Sequence, residues 1–519
     1  MILPAIKFKN KIIDGKFEDH HIDILNAHNI GRRQPHVEGF NTQEGFKTRE
    51  EASEFMKAKG YDVPEKLHSQ DMRKAINDQK PGERGEKETK VVDLSKERII
   101  IYDRGSFTYL AQFMARFYGK TDYFIPSDGL YLHSHQTDIG KGLKGVNWLE
   151  SFDAALPNTP EEKEHTTIFF PYVYDGDRAE RLKKDGYNVC SSFAAEKMEL
   201  RKDFFYNEVK KAGLPTKIIY EAHGLDDLEK FLASYRPKVC VLKNCGEERG
   251  DWETFVDDLP AQTDALIDHC RAELGRDGAA RMIVLCEEII DGLELGIDGF
   301  MLNGEIARWM SFGYELKDDF YICKMIEEIP DILKPSMDAL KSAYAKLGCA
   351  TPYSNEARVT PKGEVYRIDE TLRGGCPPTP VFCEMLGEEY ARAVYELARG
   401  RLPQIKKPVA KYGVMTILKS IHCIKNKLYV KMPKNFEQWV KLHNASMHNG
   451  NYFVHPVPLD DDCDTFGSVI GIGDTLEEAN EEMEEALEEV KAYKMDYVHG
   501  AFECASEKIK EGEKFGVKF

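Results

Sequence analysis

Glu356-Ala-Arg-Val-Thr-Pro-Lys-Gly-Glu-Val-Tyr-Arg-Ile-Asp369-Glu-Thr-Leu-Arg373-Gly-Gly375 is the stretch on which the fold turns. Pro361-Lys362-Gly363 is a turn signal, so the spacing predicts two strands, around Glu356 and around Tyr366. Antiparallel pairing then brings Glu356 and Asp369 side by side on one face. Two adjacent carboxylates are costly unless a cation neutralises them, and Mg²⁺ (or Mn²⁺) with phosphate oxygens suits an all-oxygen site. Past them, Arg373 leaves the strand into a glycine pair, where it can stabilise negative charge on a transferring phosphoryl or acyl phosphate group. Salt-bridged or merely solvated carboxylates are the alternative reading of the same residues.

Upstream lie two weaker constellations. Val239-Cys-Val-Leu-Lys243 reads as a buried strand that ends in a lysine, followed by Asn244-Cys-Gly-Glu-Glu-Arg-Gly250. Such a lysine can place an ammonium against nucleotide phosphates, and Gly246 and Gly250 allow close backbone approach; a surface lysine at a strand end is the plainer reading. Val284-Leu-Cys-Glu287-Glu288-Ile289-Ile290-Asp-Gly292-Leu-Glu294 reads as a strand, a short hinge and a second strand. The hinge backbone can meet an adenine edge, and Glu294 can accept from ribose hydroxyls; solvated acids around a hairpin are the alternative.

The surrounding pattern divides in two. Arg98–Tyr102, Tyr123–Pro126 and Thr167–Val173 read as strands alternating with helices at Tyr109–Phe117 and Arg178–Lys184, which predicts a parallel α/β sheet. Lys197–Ala212 reads as one helix closed by Gly213 and Pro215. From Lys217 the pattern becomes α+β with an antiparallel sheet: strands at Lys217–Glu221, Val239–Lys243, Met282–Glu287, Leu293–Leu302 and Ile306–Phe312, with helices at Leu225–Tyr235 and Pro335–Leu347. Residues 409–519 carry strands and one strongly acidic helix, capped by Thr475 and Glu478 and buried along Leu476, Ala479, Met483, Ala486, Leu487 and Val490. Its glutamates read as a solvated face.

Taken in order, these segments resemble the ATP-grasp superfamily, and within it the phosphoribosylamine–glycine ligase family, over Arg98–Asp496. The likeness is strongest in Ser191-Ser-Phe-Ala-Ala-Glu-Lys-Met-Glu-Leu-Arg-Lys202 with Ala212-Gly-Leu-Pro-Thr216, and again in Ser468-Val-Ile-Gly-Ile-Gly473-Asp-Thr-Leu-Glu-Glu-Ala479. The resemblance implies that Lys202 and Lys243 bind ATP phosphates, Glu287, Glu288, Ile289 and Ile290 the adenine, and Glu294 the ribose. It implies metal binding at Glu356 and Asp369, a catalytic Arg373, and acceptor binding at Arg104, Gly105 and Arg358. It further implies a carboxylate–amine ligase that uses ATP and Mg²⁺, acts on small molecules and passes through an acyl phosphate.

The implied organisation is an N-terminal extension over residues 1–95 with a charged linker at 76–96, a parallel α/β domain over 97–190, an ATP-grasp core over 191–408 and a C-terminal lobe over 409–519. Three features depart from the family. Thr371 stands where it places a metal-binding Asn, and Glu247-Glu248-Arg249 occupies a loop that is usually Gly-rich. The Gly-Gly-Arg-Glu-His-Ala signature is replaced by Asp103-Arg104-Gly105-Ser106-Phe107, so phosphoribosylamine is not the expected substrate. An ATP-binding protein of this fold without ligase activity, or a ligase with a thiol acceptor, therefore stays open.

Composition sets the outer bounds. At 519 residues the chain implies about three or four packed units, and 42% hydrophobic residues exclude wholesale disorder. Lys plus Arg is 71 and Asp plus Glu 89, a net charge of −18 that argues against a dedicated nucleic-acid-binding module. No apolar run approaches the ~18–20 residues of a membrane span, and the apolar start precedes Lys7, Lys9 and Lys11, the reverse of a secretory signal. The 12 cysteines form no CxxC pair and read as buried thiols in a reducing cytoplasm. His20, His21, His28 and His36, Leu132–Asp138 with His133 and His135, and the Gly140–Gly145 loop read as polar loops, the last two near the acceptor side. No oligomeric state is implied.

Overall fold

The computed structural model describes residues 92–126, 138–245, 252, 254–317, 319–456 and 463–519. The chain divides into two units, 1–92 and 93–519, and every described helix and strand belongs to the second. Arg49–Lys59, for which Thr48 and Glu51 as a capping box predict a helix, the four N-terminal histidines, most of the charged linker, His133 and His135, and the Gly246–Gly250 loop lie outside the described residues.

Arg98–Tyr102 (β1), Thr121–Phe124 (β2), Val146–Trp148 (β3), Thr166–Phe169 (β4) and Asn188–Cys190 (β5) form an all-parallel sheet in the order β3-β2-β1-β4-β5. Ile99, Ile100 and Ile101 are fully buried, as a sheet covered on both faces demands. The helix Thr108–Tyr118 carries the chain from β1 to β2 and buries Tyr109, Leu110, Phe113 and Met114 at helical spacing. Strand order reverses beside β1, so the carboxyl ends of β1 and β4 flank a topological switch point. The strand expected to reach Val173 stops at Phe169, because Pro171 has no N–H to offer a neighbour.

Ile218–His223 (β6), Cys240–Cys245 (β7), Thr254–Val256 (β8) and Ile283–Glu288 (β9) make an antiparallel sheet in the order β6-β9-β7-β8. Leu225, Leu228 and Leu232 of the helix Leu225–Tyr235 pack into a core with Leu242, Val284 and Cys286. The helix Pro260–Arg281, which no sequence pattern marks, adds Ile267 and Cys270. Its apolar residues are sparse and Gly275 (φ 67°) breaks it, so no long periodic stripe announces it.

The central sheet begins with Leu293–Leu302 (β10), Glu305–Ile306 (β11), Met310–Leu316 (β12), Phe320–Ile326 (β13), Ala350–Val359 (β14), Val365–Thr371 (β15) and Tyr412–Ser420 (β16). It continues into the C-terminal region, which supplies Leu428–Lys431 (β17), Val440–Leu442 (β18), Ala445–His448 (β19), Asn451–Val454 (β20) and Thr465–Gly473 (β21). The order is β15-β14-β10-β12-β13-β16-β21-β18, with β19, β20 and β17 in a smaller sheet. The expected strand Ile306–Phe312 is split in two because Trp309 adopts a positive φ of 70°. The expected helix Lys197–Ala212 is likewise two helices, Lys197–Leu200 and Lys202–Lys211: Arg201 leaves helical geometry (φ −125°, ψ 84°) and pairs with Asp203, so Lys202 opens a new helix.

In the C-terminal region the helix Leu476–Glu489 lies on β21 and buries Ala479, Met483, Ala486 and Leu487, with Thr475 accepting from the Glu478 N–H. A second helix, Ala501–Lys514, follows it. The close approach of Leu476–Glu489 depends on Gly471, where a Cβ would meet the Ala479 carbonyl oxygen at 2.0 Å. Gly471→Ala is expected to lower stability by about 1–3 kcal/mol, read as a lower urea midpoint at unchanged slope. An unchanged midpoint contradicts that packing. All twelve cysteines are free thiols, most of them buried. Among the described residues no helix is long and apolar enough to cross a membrane.

Candidate active site

The turn at Pro361–Gly363 sets a register that places Glu356 directly opposite Asp369 and Ser354 opposite Thr371. On the other side of β14, Gly296 of β10 faces Glu356, so no side chain covers the carboxylate there. Burial, then the neighbouring Asp369, pushes the Glu356 carboxyl above the usual range. Burial acts on Asp369 in the same sense, but the ammonium groups of Lys202 and Lys243 overcome it and hold Asp369 below its usual range. Among the described residues no three His, Cys, Asp or Glu side chains form an all-protein metal cage. Two crowded carboxylates fit Mg²⁺ instead, which usually takes one or two carboxylates and fills its shell with water and phosphate oxygens.

Two lysines from different elements reach this strand pair. Lys202, 3% exposed at the start of its helix, donates to Asp369 Oδ1 at 2.9 Å. Lys243 on β7, 6% exposed, lies 2.8 Å from Glu287 Oε2 and donates to the Tyr206 hydroxyl at 2.6 Å and the Ile368 carbonyl at 3.1 Å. No motif in the sequence marks Tyr206. Its signal was its place one turn after Lys202, which puts both on one helix face.

The hinge between β9 and β10 separates its four residues. Glu287 turns inward to Lys243, whereas Glu288 is exposed, 3.8 Å from Lys217 Nζ. Ile289 is 48% exposed and Ile290 buried. Arg358 ties this hinge to β14: Nη1 donates to the Ile290 carbonyl at 3.1 Å, and Nη2 and Nε donate to Glu294 Oε2 at 2.7 and 3.2 Å. Arg358, expected with the acceptor residues, thus sits at the hinge, two residues along β14 from Glu356.

Arg104 and Gly105 lie elsewhere, at the switch point. Arg104 is buried and donates Nε and Nη2 to Asp175 beyond β4, both at 3.0 Å. Gly105, at φ 107°, offers its carbonyl to the Asn444 N–H at 2.9 Å. Arg373 extends over the Tyr172 ring, its guanidinium carbon 5.1 Å from the centroid. Glu199 orients it, accepting from Arg373 Nε at 3.0 Å and from the Leu372 N–H at 2.7 Å. Neither Glu199 nor Tyr172 was legible as a site residue, because each acts through a contact more than 170 residues away in the chain.

This arrangement of sheets is the ATP-grasp fold. No protein-family model matches the chain, and no curated protein matches it in sequence. Solved structures carry the likeness. The chain is similar to phosphoribosylamine–glycine ligase from Thermotoga maritima, at 16% identity and a TM-score of 0.57 over 77% of this chain and 98% of that one. It is similar to the biotin carboxylase domain of 2-oxoglutarate carboxylase from Hydrogenobacter thermophilus, determined with MgADP, ADP and bicarbonate, at 13% identity and a TM-score of 0.55 over 81% and 98%. An L-amino acid ligase from Bacillus licheniformis matches at 17% identity and a TM-score of 0.50 over 78% and 100%.

Proposed function

We propose that the protein is an ATP-dependent carboxylate–amine ligase that forms a C–N bond through an acyl phosphate and releases ADP. The observation that carries this reading is the convergence of Lys202 and Lys243, from separate elements, on the Glu356–Asp369 strand pair. Lys202 and Lys243 neutralise the phosphates of ATP, the hinge Glu287–Ile290 takes the adenine edge, and Glu294, oriented by Arg358, accepts from the ribose hydroxyls. Glu356 and Asp369 would hold Mg²⁺, which when bound would supply positive charge to offset that of the ATP phosphates. A substrate carboxylate oxygen attacks the γ-phosphorus and ADP leaves; an amine then attacks the acyl carbon and phosphate leaves. Arg373, fixed by Glu199, faces the charge that develops on the transferring group. Positioning and electrostatics supply the catalysis, with no covalent nucleophile from the chain.

The substrates of this reading are small molecules, and phosphoribosylamine is not among those it favours. Arg104, the cation nearest the position of the missing signature, is already engaged by Asp175. The division into 97–190, 191–408 and 409–519 belongs to the same proposal. The test is ADP release with ATP and Mg²⁺ against a panel of amino acids and phosphorylated and unphosphorylated amines, with hydroxylamine added to trap the acyl phosphate. Acid-dependent ADP release with hydroxamate formation is expected. A rise in melting temperature with ATP and Mg²⁺, but no ADP from any acid, would identify a binding protein instead.

A further inference from the structure

Beside the carboxylate pair, the central sheet carries a second row of polar residues. Gly296, Glu356 and Asp369 form the first row, across β10, β14 and β15. Two residues further along β14, Arg358 stands between Glu294 on β10 and Tyr366 on β15. Side chains two apart on a strand leave the same face, so Glu356 and Arg358 share one face about 7 Å apart. The second row lies at the end of β10 that leaves the hinge.

Arg358 grips both halves of that end. Nε and Nη2 donate to Glu294 Oε2 at 3.2 and 2.7 Å, and Nη1 donates to the Ile290 carbonyl at 3.1 Å. The carbonyl belongs to the hinge backbone and the carboxylate to the strand that follows it. Gly292 permits the close approach between them and β14, since a Cβ there would lie 2.7 Å from the Val359 carbonyl oxygen. A guanidinium is planar, so the directions of its N–H groups are fixed together. Among the described residues no donor reaches Glu294 Oε1, and the Glu294 side chain is 19% exposed. Oε1 is therefore the oxygen left for a ligand hydroxyl. The Arg358 charge also offsets that of Glu294, so this carboxylate can stand beside a polyanionic nucleotide.

We propose that Arg358 is the positioning residue through which the protein distinguishes ribonucleotides from deoxyribonucleotides, an assignment that rests on the reading of this site as an ATP site. Arg358 holds Glu294 with Oε1 turned to the sugar, and a ribose hydroxyl donates to it. A deoxy sugar that lacks this hydroxyl leaves the carboxylate oxygen unpaired. Because the same guanidinium holds the Ile290 carbonyl, the hinge that meets the base and the acid that meets the sugar keep one spacing.

Titration calorimetry with Mg²⁺ tests this without knowledge of the acid or the amine. The probes are ATP, 2′-deoxy-ATP, 3′-deoxy-ATP and inorganic tripolyphosphate, which carries phosphates but no nucleoside. The wild-type protein should bind ATP about 10–100-fold more tightly than at least one of the deoxynucleotides. Arg358→Met and Arg358→Lys should both bind ATP more weakly, and should bind ATP and the deoxynucleotides within about threefold of one another. Lysine keeps the charge but cannot serve Glu294 and the Ile290 carbonyl with one rigid fork. Tripolyphosphate, which meets Lys202 and Lys243, should bind wild type and both variants within about threefold, which also reports that the variants fold. Discrimination retained in Arg358→Lys overturns the positioning role. So does loss of tripolyphosphate binding together with ATP binding in both variants, or a wild-type protein that binds ATP and both deoxynucleotides alike. A wild-type protein that binds no ATP overturns the nucleotide reading itself, and the proposal with it.

Discussion

Glu356→Gln is expected to abolish ADP formation, a fall of at least about 10²–10³-fold, while the ligand-free protein melts no lower than wild type. Glu356 sits opposite Asp369 and is pushed toward its protonated form by burial and by that neighbour. Replacing it with a neutral isostere relieves the burial and the crowding, which together outweigh the lost attraction to Lys317. The same change removes one of the two carboxylates that would hold Mg²⁺ against the phosphates, and the stabilisation by ATP and Mg²⁺ should shrink with the activity. Asp369→Asn should be equally inactive but less stable, since Asp369 accepts from the buried ammonium of Lys202. The contrast between the two variants, read by coupled ADP release and by melting with and without ATP and Mg²⁺, separates a metal site from a strained ion cluster. Full activity in both refutes the site.

Local chemistry explains which parts of this arrangement are visible in the chain. The Glu356–Asp369 register follows from a Pro-Lys-Gly turn and the two-residue period of strands, so it can be read without a structure, and the structure pairs the same two residues. Ile99–Ile101 and the Thr475 cap are similarly local. The break at Arg201 was not legible, because Lys197–Ala212 satisfies a helical pattern throughout and the interruption rests on backbone geometry beside an Arg201–Asp203 pair. Supporting residues were hidden for another reason. Glu199 matters through Arg373 and Tyr206 through Lys243, and both links are tertiary.

Lys243→Met should destabilise the protein by about 3–5 kcal/mol and also remove its stabilisation by ATP. The ammonium lies between the Glu287 carboxylate, the Tyr206 hydroxyl and the Ile368 carbonyl, and both charged partners are buried. Truncation leaves the Glu287 charge in a poor solvent, where the Tyr206 hydroxyl at 3.3 Å still donates to it but no ammonium neutralises it. The double variant Lys243→Met/Glu287→Gln removes both charges, and a glutamine can still accept from Tyr206, so stability should return to within about 1–2 kcal/mol of wild type. Stabilisation by ATP should not return. A ligand at a hundred times its Kd adds about 2.7 kcal/mol to unfolding, a shift large enough to resolve in urea titrations with and without ATP. Lys243 as a mere structural partner of Glu287 predicts that the double variant recovers both stability and the ATP response. Lys243 as a phosphate ligand predicts that only the first recovers. Because the first recovery shows that the variant folds, loss of the second can be assigned to the missing ammonium.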